Sequence, residues 1–180
     1  MAMNVRTLCL GVLSTGEASG YEIKKDIEEG MFSHFIDASF GSIYPALTQL
    51  ASEGLLTVRE QEQTGKPDKK VYAITGQGRQ SLAKAIAVVP AKDKFKSEFL
   101  FQMLLQQFLT PELMVVAMDK QLRDLGEDLA RIAECRSAEQ PFAGASFVSG
   151  YGEAVLTAAV KYLGDKRAEM LRPVAAQAAE

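Results

Sequence analysis

Leu55-Leu56-Thr57-Val58-Arg59 and Val71-Tyr72-Ala73-Ile74-Thr75 are two short β-prone runs, and the segment between them, Glu60–Lys70, contains Gly65, Lys66, Pro67, Asp68, Lys69 and Lys70. This pattern predicts a β-hairpin with a basic tip. Three helical periodicities precede it. Asn4 is placed to cap a helix in which Val5, Leu8, Cys9, Val12 and Leu13 fall on one stripe. After the turn-rich Gly16–Gly20, Ser19 can cap a second helix with Tyr21, Ile23 and Ile27 as its apolar contacts and Gly30 as its stop. A third helix begins between Ser39 and Ser42 and ends at Gly54. With Ser42 as cap, Pro45 sits in the first turn; with Ser39 as cap, Gly41 is the i−4 residue and leaves room for the ring. The order helix, helix, helix, strand, basic loop, strand predicts a winged helix-turn-helix.

The faces of these helices carry the functional reading. On the third helix Ile43, Leu47 and Leu50 cluster on one side, while Ser42, Pro45, Gln49 and Ser52 point the other way with Thr48 at their flank. A small, uncharged outer stripe allows close approach to a groove, and Gln or Thr can contact base edges. Taken alone the stripe fits a merely solvated face better than a recognition face; the basic hairpin that follows it tips the reading toward recognition. On the second helix Lys24–Glu28 and Lys25–Glu29 are spaced i,i+4, so both lysines read either as self-neutralising surface pairs or as phosphate contacts. The hairpin lysines Lys66, Lys69 and Lys70 are placed to neutralise DNA phosphates or to guard an exposed strand edge.

Composition narrows the alternatives. The chain has 180 residues, 47% apolar and 24% charged, with two cysteines and one histidine. Its longest apolar stretches, such as Phe99–Leu105 with Gln102 inside it, fall short of the roughly 20 residues of a bilayer span. The N-terminus has no basic segment followed by an apolar core of a signal peptide, so a cytoplasmic protein without membrane partners is expected. Cys9, Cys135 and His34 are too few for a clustered zinc site, and nothing beside His34 reads as a nucleophile. The phosphate-cradling glycine loops GxGxxG and GxxxxGK[ST] do not occur. No catalytic residue, metal or cofactor is therefore expected, and the chain is read as a non-enzyme. Residues 1–90 carry nine Lys/Arg against ten Asp/Glu, and residues 91–180 eleven against thirteen, so neither half is a basic tail.

Several fragments carry a family resemblance: Leu13-Ser14-Thr15, Ser19-Gly20-Tyr21-Glu22-Ile23, Ser42-Ile43-Tyr44-Pro45-Ala46-Leu47, Leu50 with Gly54-Leu55-Leu56, and Lys70-Val71-Tyr72-Ala73-Ile74-Thr75 with Gly78-Arg79. Together, in order over residues 4–90, they resemble the PadR family of transcriptional regulators. The run Gly65–Tyr72 is further similar to the AphA-type virulence activators of that family, whose C-terminal region is all-helical. The resemblance implies a homodimer that binds a two-fold operator of double-stranded DNA through the winged helix, with C-terminal helices as the dimer interface. It assigns DNA contact to the positions of Ser42, Tyr44, Pro45, Thr48 and Gln49 and to the wing lysines. This chain departs from many members in reading Gln49-Leu50-Ala51-Ser52-Glu53, which leaves its recognition helix without Lys or Arg. Affinity is then expected to lean on the wing, on Lys24 and Lys25 and on helix N-terminal amides near Ser39–Ser42, with modest strength and steep salt dependence.

The second half reads as a pairing device. Thr75 can cap a helix through Leu82, Ile86 and Val89, closed by Pro90, and Ala91–Lys94 is the expected boundary, giving a DNA-binding domain at 1–90 and a dimerisation domain at 91–180. A short helix rich in Phe95, Phe99, Leu100, Phe101, Met103, Leu104, Leu105 and Phe108 is apolar nearly all round and is expected to be buried on more than one side. Thr110-Pro111-Glu112 gives a cap, a proline at the first helical position and an acidic first turn. Behind it Val115, Met118, Leu122, Leu125, Leu129 and Ile132 alternate spacings of three and four, a coiled-coil seam that suits one long helix in the same chain or in a second copy. A further helix over about 147–163 lines up Phe147, Tyr151, Ala154, Val155, Ala158 and Tyr162, and Ala175–Glu180 is expected to fray.

The fold class is thus mainly α with a small β-hairpin wing: an N-terminal winged helix-turn-helix and a C-terminal antiparallel or coiled-coil helical domain. Members of the family that sense phenolic acids or drugs imply a small aromatic effector, for which Phe95, Phe99, Phe108, Tyr151 and Tyr162 are the side chains that could line a site. The competing reading is a winged-helix module that binds protein and not DNA.

Overall fold

In the computed structural model, residues 3–36, 40–63, 66–137 and 142–177 are described, with 40, 62–63, 66–68, 137 and 171–177 described by backbone alone. The chain divides into two compact units, Met1–Asp93 and Lys94–Glu180. The first runs α1 (Val5–Val12), β1 (Ala18–Ser19), α2 (Gly20–Glu28), α3 (Phe40–Ser52), β2 (Leu56–Gln63), β3 (Lys66–Ile74) and α4 (Gly76–Ile86). Asn4 caps α1, its Oδ1 accepting from Thr7 N at 3.0 Å. The buried stripe of α1 packs with Ile23 and Ile27 of α2, Ile43, Ala46, Leu47 and Leu50 of α3, and Leu56 and Tyr72 of the sheet. Leu10, off that stripe, is buried too. Burial pushes the Cys9 thiol up to about 12, so Cys9 serves as a small apolar residue. Tyr21 does not join this core: it is 67% exposed, because two residues along a helix is 200° around from Ile23.

The third helix starts at Phe40, which makes Ser42 a helical residue and not the cap; Ser39 lies outside the described residues. Pro45 is inside the helix, and glycine at i−4, Gly41, removes the Cβ nearest its ring. The far end closes as a Schellman turn: Gly54, at φ +71°, donates to Ala51 O at 3.0 Å, and Leu55 donates to Leu50 O at 2.9 Å. Thr75 locks the next junction. Its Oγ1 donates to Gly54 O at 2.9 Å and accepts from Gly78 N at 3.0 Å as the cap of α4. A Cβ on Gly78 would lie 2.2 Å from Leu55 O, so the chain passes there only without a side chain. Helix α4 ends at Ile86, not beside Pro90 as the periodicity suggests. Ile86 is 62% and Val89 94% exposed, so no apolar contact supports a further turn, and a residue before proline disfavours helical backbone.

The sheet is antiparallel in the order β1-β3-β2. The turn-rich segment before α2 supplies a short third strand that the sequence reading missed, Ala18 facing Tyr72 and Ser19 facing Val71. The hairpin is longer than its apolar runs. Pairing continues through Arg59↔Val71, Glu60↔Lys70 and Gln61↔Lys69 to Gln63↔Lys66, with an irregularity between Gln61 and Gln63. Lys69 and Lys70 are therefore strand residues and not part of a tip loop. Arg59, Glu60, Gln61 and Lys70 are exposed, so these polar strand residues show no apolar alternation to read; opposite charges such as Glu60 and Lys70 favour the register instead.

The second unit consists of α5 (Glu98–Leu104), a 3-10 turn at Gln106–Phe108, α6 (Pro111–Ser137) and α7 (Ala145–Gln177). Thr110 Oγ1 accepts from Leu113 N at 3.3 Å at the start of α6. Helices α6 and α7 form an antiparallel hairpin, closed at one end by the Arg136–Glu153 ion pair and at the other by Arg167–Asp119 at 2.9 Å. Helix α7 is longer than expected and keeps helical backbone through Ala175–Gln177, where fraying is expected from the sequence; the Arg167–Asp119 pair extends the hairpin past 163, and residues 178–180 lie outside the described residues. The Phe-rich segment is not buried within the chain: α5 has no buried residue, and Phe95, Phe101, Leu104 and Phe108 are exposed. Seven residues make under two turns, too little to bury apolar groups all round without a partner on each side. No described helix is long and apolar enough to cross a membrane.

Candidate nucleic-acid interface

Helix α3 buries Ile43, Ala46, Leu47 and Leu50 and turns Tyr44, Pro45, Thr48, Gln49 and Ser52 to solvent. The exposed set follows from the buried one, because residues on the far side of a 3.6-residue repeat cannot reach the core. Ser42 is half-buried at the edge of this face. Thr48 Oγ1 donates to Tyr44 O at 3.0 Å. Gln49 Nε2 donates to Glu53 Oε1 at 3.0 Å, and Glu53 is gripped by Arg6 of α1, whose Nη1 donates to Oε1 at 2.8 Å. The hydrogen bond from Arg6 holds the Glu53 carboxyl below the usual carboxylate range. A carboxylate only accepts, so Glu53 fixes the Gln49 amide with its nitrogen inward and leaves the carbonyl oxygen for other donors.

The Tyr44 ring lies against the start of α2. A Cβ on Gly20 would sit 2.7 Å from Tyr44 Cε1, so glycine there lets the ring close down. Tyr72 of β3 is next to it, and its hydroxyl is pushed up first by burial and then by Tyr44. Together Ser19, Gly20, Tyr21, Glu22, Tyr44, Thr48, Lys69, Lys70 and Tyr72 outline a cleft of about 690 Å³. Ser19 and Glu22 form a reciprocal capping box at its floor, which the Ser19-x-x-Glu22 spacing signals but which was not read from the sequence.

Of the lysines singled out, Lys69 and Lys70 reach this cleft, while the side chain of Lys66 lies outside the described residues. Lys69 Nζ is 3.7 Å from Glu22 Oε1. Lys24 pairs with Glu28 at 3.5 Å. No such ion pair joins Lys25 to Glu29 among the described residues. Lys24 and Lys25 line a shallow surface with Tyr21, Glu28 and Glu29, beside the α3 cleft and not in it. On the wing, Arg59 Nη2 pairs with Glu17 at 2.6 Å, tying β2 to the segment before β1.

In the second unit the seam on α6 meets the same chain. Met118 and Leu125 are buried together with Met114, and Val115, Leu122, Leu129 and Ile132 are half-buried. A Cβ on Gly152 of α7 would sit 3.1 Å from Ile132 Cδ1, which marks the close approach. Of the two partners the periodicity allows, α7 takes this stripe. The face of α7 turned toward α6 is the row Ala145, Ser149, Gly152, Leu156 and Leu163. The row chosen from sequence is a different one: Phe147, Tyr151, Val155 and Tyr162 are exposed. Helix α7 thus has two stripes, one spent on α6 and one left to solvent. Phe95, Phe108, Tyr151 and Tyr162, named as effector-lining candidates, are also mainly exposed and Phe99 half-buried, so within one chain they enclose no cavity. Among the described residues no cluster of His, Cys, Asp and Glu could hold a metal ion.

The family model of the PadR-like transcriptional regulators matches residues 9–84. The negative transcriptional regulator PadR of Bacillus subtilis is 37% identical over 94 residues, 52% of this chain and 51% of that protein; the sequence match thus spans about half of the relative's length. The structure of Bacillus subtilis PadR in complex with operator DNA is similar at 26% identity and a TM-score of 0.74, covering 92% of this chain and 98% of that one. The same protein in complex with p-coumaric acid is similar at 25% identity and a TM-score of 0.67, covering 93% and 99%. The virulence activator AphA of Vibrio cholerae shares the fold, at 20% identity and a TM-score of 0.63 over 97% of this chain and 99% of that one. The PadR-like transcriptional regulator BC1756 of Bacillus cereus is 30% identical with a TM-score of 0.78, over 94% of this chain and 97% of that one. With a relative this similar along nearly its whole length and a family match centred on the winged helix, the chain belongs to the PadR family of transcriptional regulators.

Proposed function

We propose that this chain regulates transcription as a homodimer that binds an inverted-repeat operator. The observation that carries the DNA reading is the outer face of α3, where Tyr44, Pro45, Thr48, Gln49 and Ser52 are exposed and uncharged. Such a face can enter a major groove without displacing charges of its own. There the oriented Gln49 oxygen accepts from adenine N6 or cytosine N4, and Thr48 contacts a neighbouring base edge. Lys69 and Lys70 flank that face from β3, and with Lys66 they contact phosphates and set register. That Bacillus subtilis PadR, a structural relative, forms a complex with operator DNA supports the DNA-binding reading.

The dimer reading rests on the exposed stripe of α7. Tyr151 and Val155, with Phe147 and Tyr162, form a row of large apolar groups on one long helix, which a second copy covers in a two-fold arrangement. Two recognition helices then meet successive major grooves about 34–36 Å apart. A small aromatic effector, as in the p-coumaric acid complex of Bacillus subtilis PadR, belongs to the same proposal; a second subunit supplies the walls that one chain lacks.

The test is footprinting on the DNA upstream of its own gene, repeated with Lys66, Lys69 and Lys70 changed together to Ala. Protection of an imperfect inverted repeat is expected. The triple variant should bind the duplex much more weakly, and the log–log salt slope should fall by about 0.9 for each phosphate contact removed. Duplex binding that the triple variant leaves unchanged would favour the protein-interaction module.

A further inference from the structure

The cleft beside α3 contains a carboxylate where a phosphate-binding surface has least use for one. Glu22 Oε2 accepts from Ser19 N at 2.7 Å and from Ser19 Oγ at 2.6 Å, while Oε1 lies 3.7 Å from Lys69 Nζ. These contacts, the hydrogen bonds from Ser19 foremost, hold the carboxyl below the usual range, so it is ionised at neutral pH. Tyr44 and Thr48 of the exposed α3 face and Lys70 of the wing line the same cleft. A negative group held by hydrogen bonds at the start of a helix, with a lysine turned toward it, is arranged as a bound phosphate would be.

We propose that Glu22 is an internal counter-ion of the DNA-binding surface: it holds Lys69 in the free protein, and Lys69 must exchange Glu22 for a DNA phosphate when a duplex docks. The proposal rests on the DNA-binding reading above and deepens it. Its consequence falls on the phosphate contribution to affinity. Non-specific binding depends on phosphate neutralisation, whereas operator binding adds base contacts from α3. A fixed carboxylate beside the wing therefore weakens the phosphate contribution that both modes share and leaves the base contacts untouched, so base contacts supply a larger share of operator affinity.

The replacement Glu22→Gln tests this, because glutamine still completes a capping box with Ser19 and only the charge is lost. Binding is measured to a random-sequence duplex across a salt series. Glu22→Gln should bind roughly three- to tenfold tighter at low salt, with a log–log slope steeper by up to about 0.9 per lysine released. Lys69→Ala should cost more affinity in the Glu22→Gln background than in the wild type, a coupling that a purely structural role of Glu22 would not produce. Equal affinity and slope for wild type and Glu22→Gln, with additive effects of Lys69→Ala, would overturn the counter-ion role and leave DNA binding standing. A wild type that binds no duplex at any salt overturns both readings.

Discussion

The two halves of this chain spend their apolar residues in opposite ways. Among the described residues, fourteen of the eighteen buried hydrophobic side chains lie in Met1–Asp93 and four in Lys94–Glu180; of twenty large hydrophobic groups left exposed, eight are in the first unit and twelve in the second. The first unit closes a core from three helices and a sheet. The second is a two-helix hairpin with a short helix before it, and two antiparallel helices can cover only one stripe of each other. Chemistry is partitioned in the same way: the winged unit presents polar and charged groups from a closed scaffold, whereas the helical unit presents unfilled apolar surface. The difference teaches that one unit closes its core within a single chain, whereas the other leaves an apolar stripe uncovered.

The sharpest way to break this comparison is to open the first core. Leu47→Ala removes a fully buried side chain and should cost about 2–5 kcal/mol; Gly78→Ala, with its Cβ 2.2 Å from a carbonyl oxygen, should be of comparable size. Both are read by urea unfolding followed by far-UV circular dichroism. An effect below about 1 kcal/mol for either would mean that the first unit is not the closed body described here.

A second prediction probes the unfinished half. Tyr151→Glu with Val155→Glu places two charges on the exposed α7 stripe and should shift the chain from dimer to monomer in sedimentation velocity, with weaker operator binding as a consequence. The hairpin itself should survive, since its internal seam is Met114, Met118 and Leu125. Unchanged sedimentation would exclude this stripe as the interface.

These predictions also mark what the sequence could and could not convey. Caps at Asn4, Ser19 and Thr75, the buried stripes of α1 and α3 and the seam of α6 were all legible, because each depends on neighbours within a few residues. What failed depended on partners far along the chain. The strand at Ala18–Ser19 exists only because β3 is there to pair with it. Beyond the core the hairpin shows no alternating apolar pattern, because Arg59, Glu60, Gln61 and Lys70 are exposed polar residues. The row on α7 was legible as apolar, yet periodicity could not reveal that a second row, built on Ala145, Gly152 and Leu163, meets α6. At the candidate interface the residue types on α3 were readable from helical phase alone. The Arg6–Glu53–Gln49 chain, the seat of Tyr44 on Gly20 and the Glu22–Lys69 pair were not, since each joins residues on different elements or exploits an unread capping spacing.

A third prediction separates scaffold from interface inside the first unit. Gly20→Ala would put a Cβ 2.7 Å from Tyr44 Cε1 and so forces the ring away. The ring is 39% exposed and can swing outward, so stability should change by about 1 kcal/mol or less, while operator affinity falls more than random-duplex affinity. Equal losses on both duplexes would mean that Tyr44 takes no part in sequence recognition.

The smallest expected effect concerns acid stability, and it too divides the molecule. Glu22 and Glu53 are held below their ordinary values, by hydrogen bonds from Ser19 and from Arg6 respectively. A lowered folded-state value means that the unfolded chain binds the proton first. The stabilisation is therefore complete above the unfolded carboxylate value of about 4.3 and is lost as pH falls through the lower folded values. Asp26 acts in the opposite sense: desolvation raises its carboxyl, so its charged form opposes folding at neutral pH and that penalty is relieved on acidification. Because Glu22 and Glu53 are exposed carboxylates, solvent screening keeps their contributions small. Glu53→Gln should flatten the acid limb of the stability profile of the winged unit slightly and leave the α6–α7 hairpin unaffected, since Glu53 belongs to the first unit alone. Amide hydrogen exchange followed residue by residue from neutral pH into the acid limb separates the two, and a change of equal size in both units would show that they unfold as one.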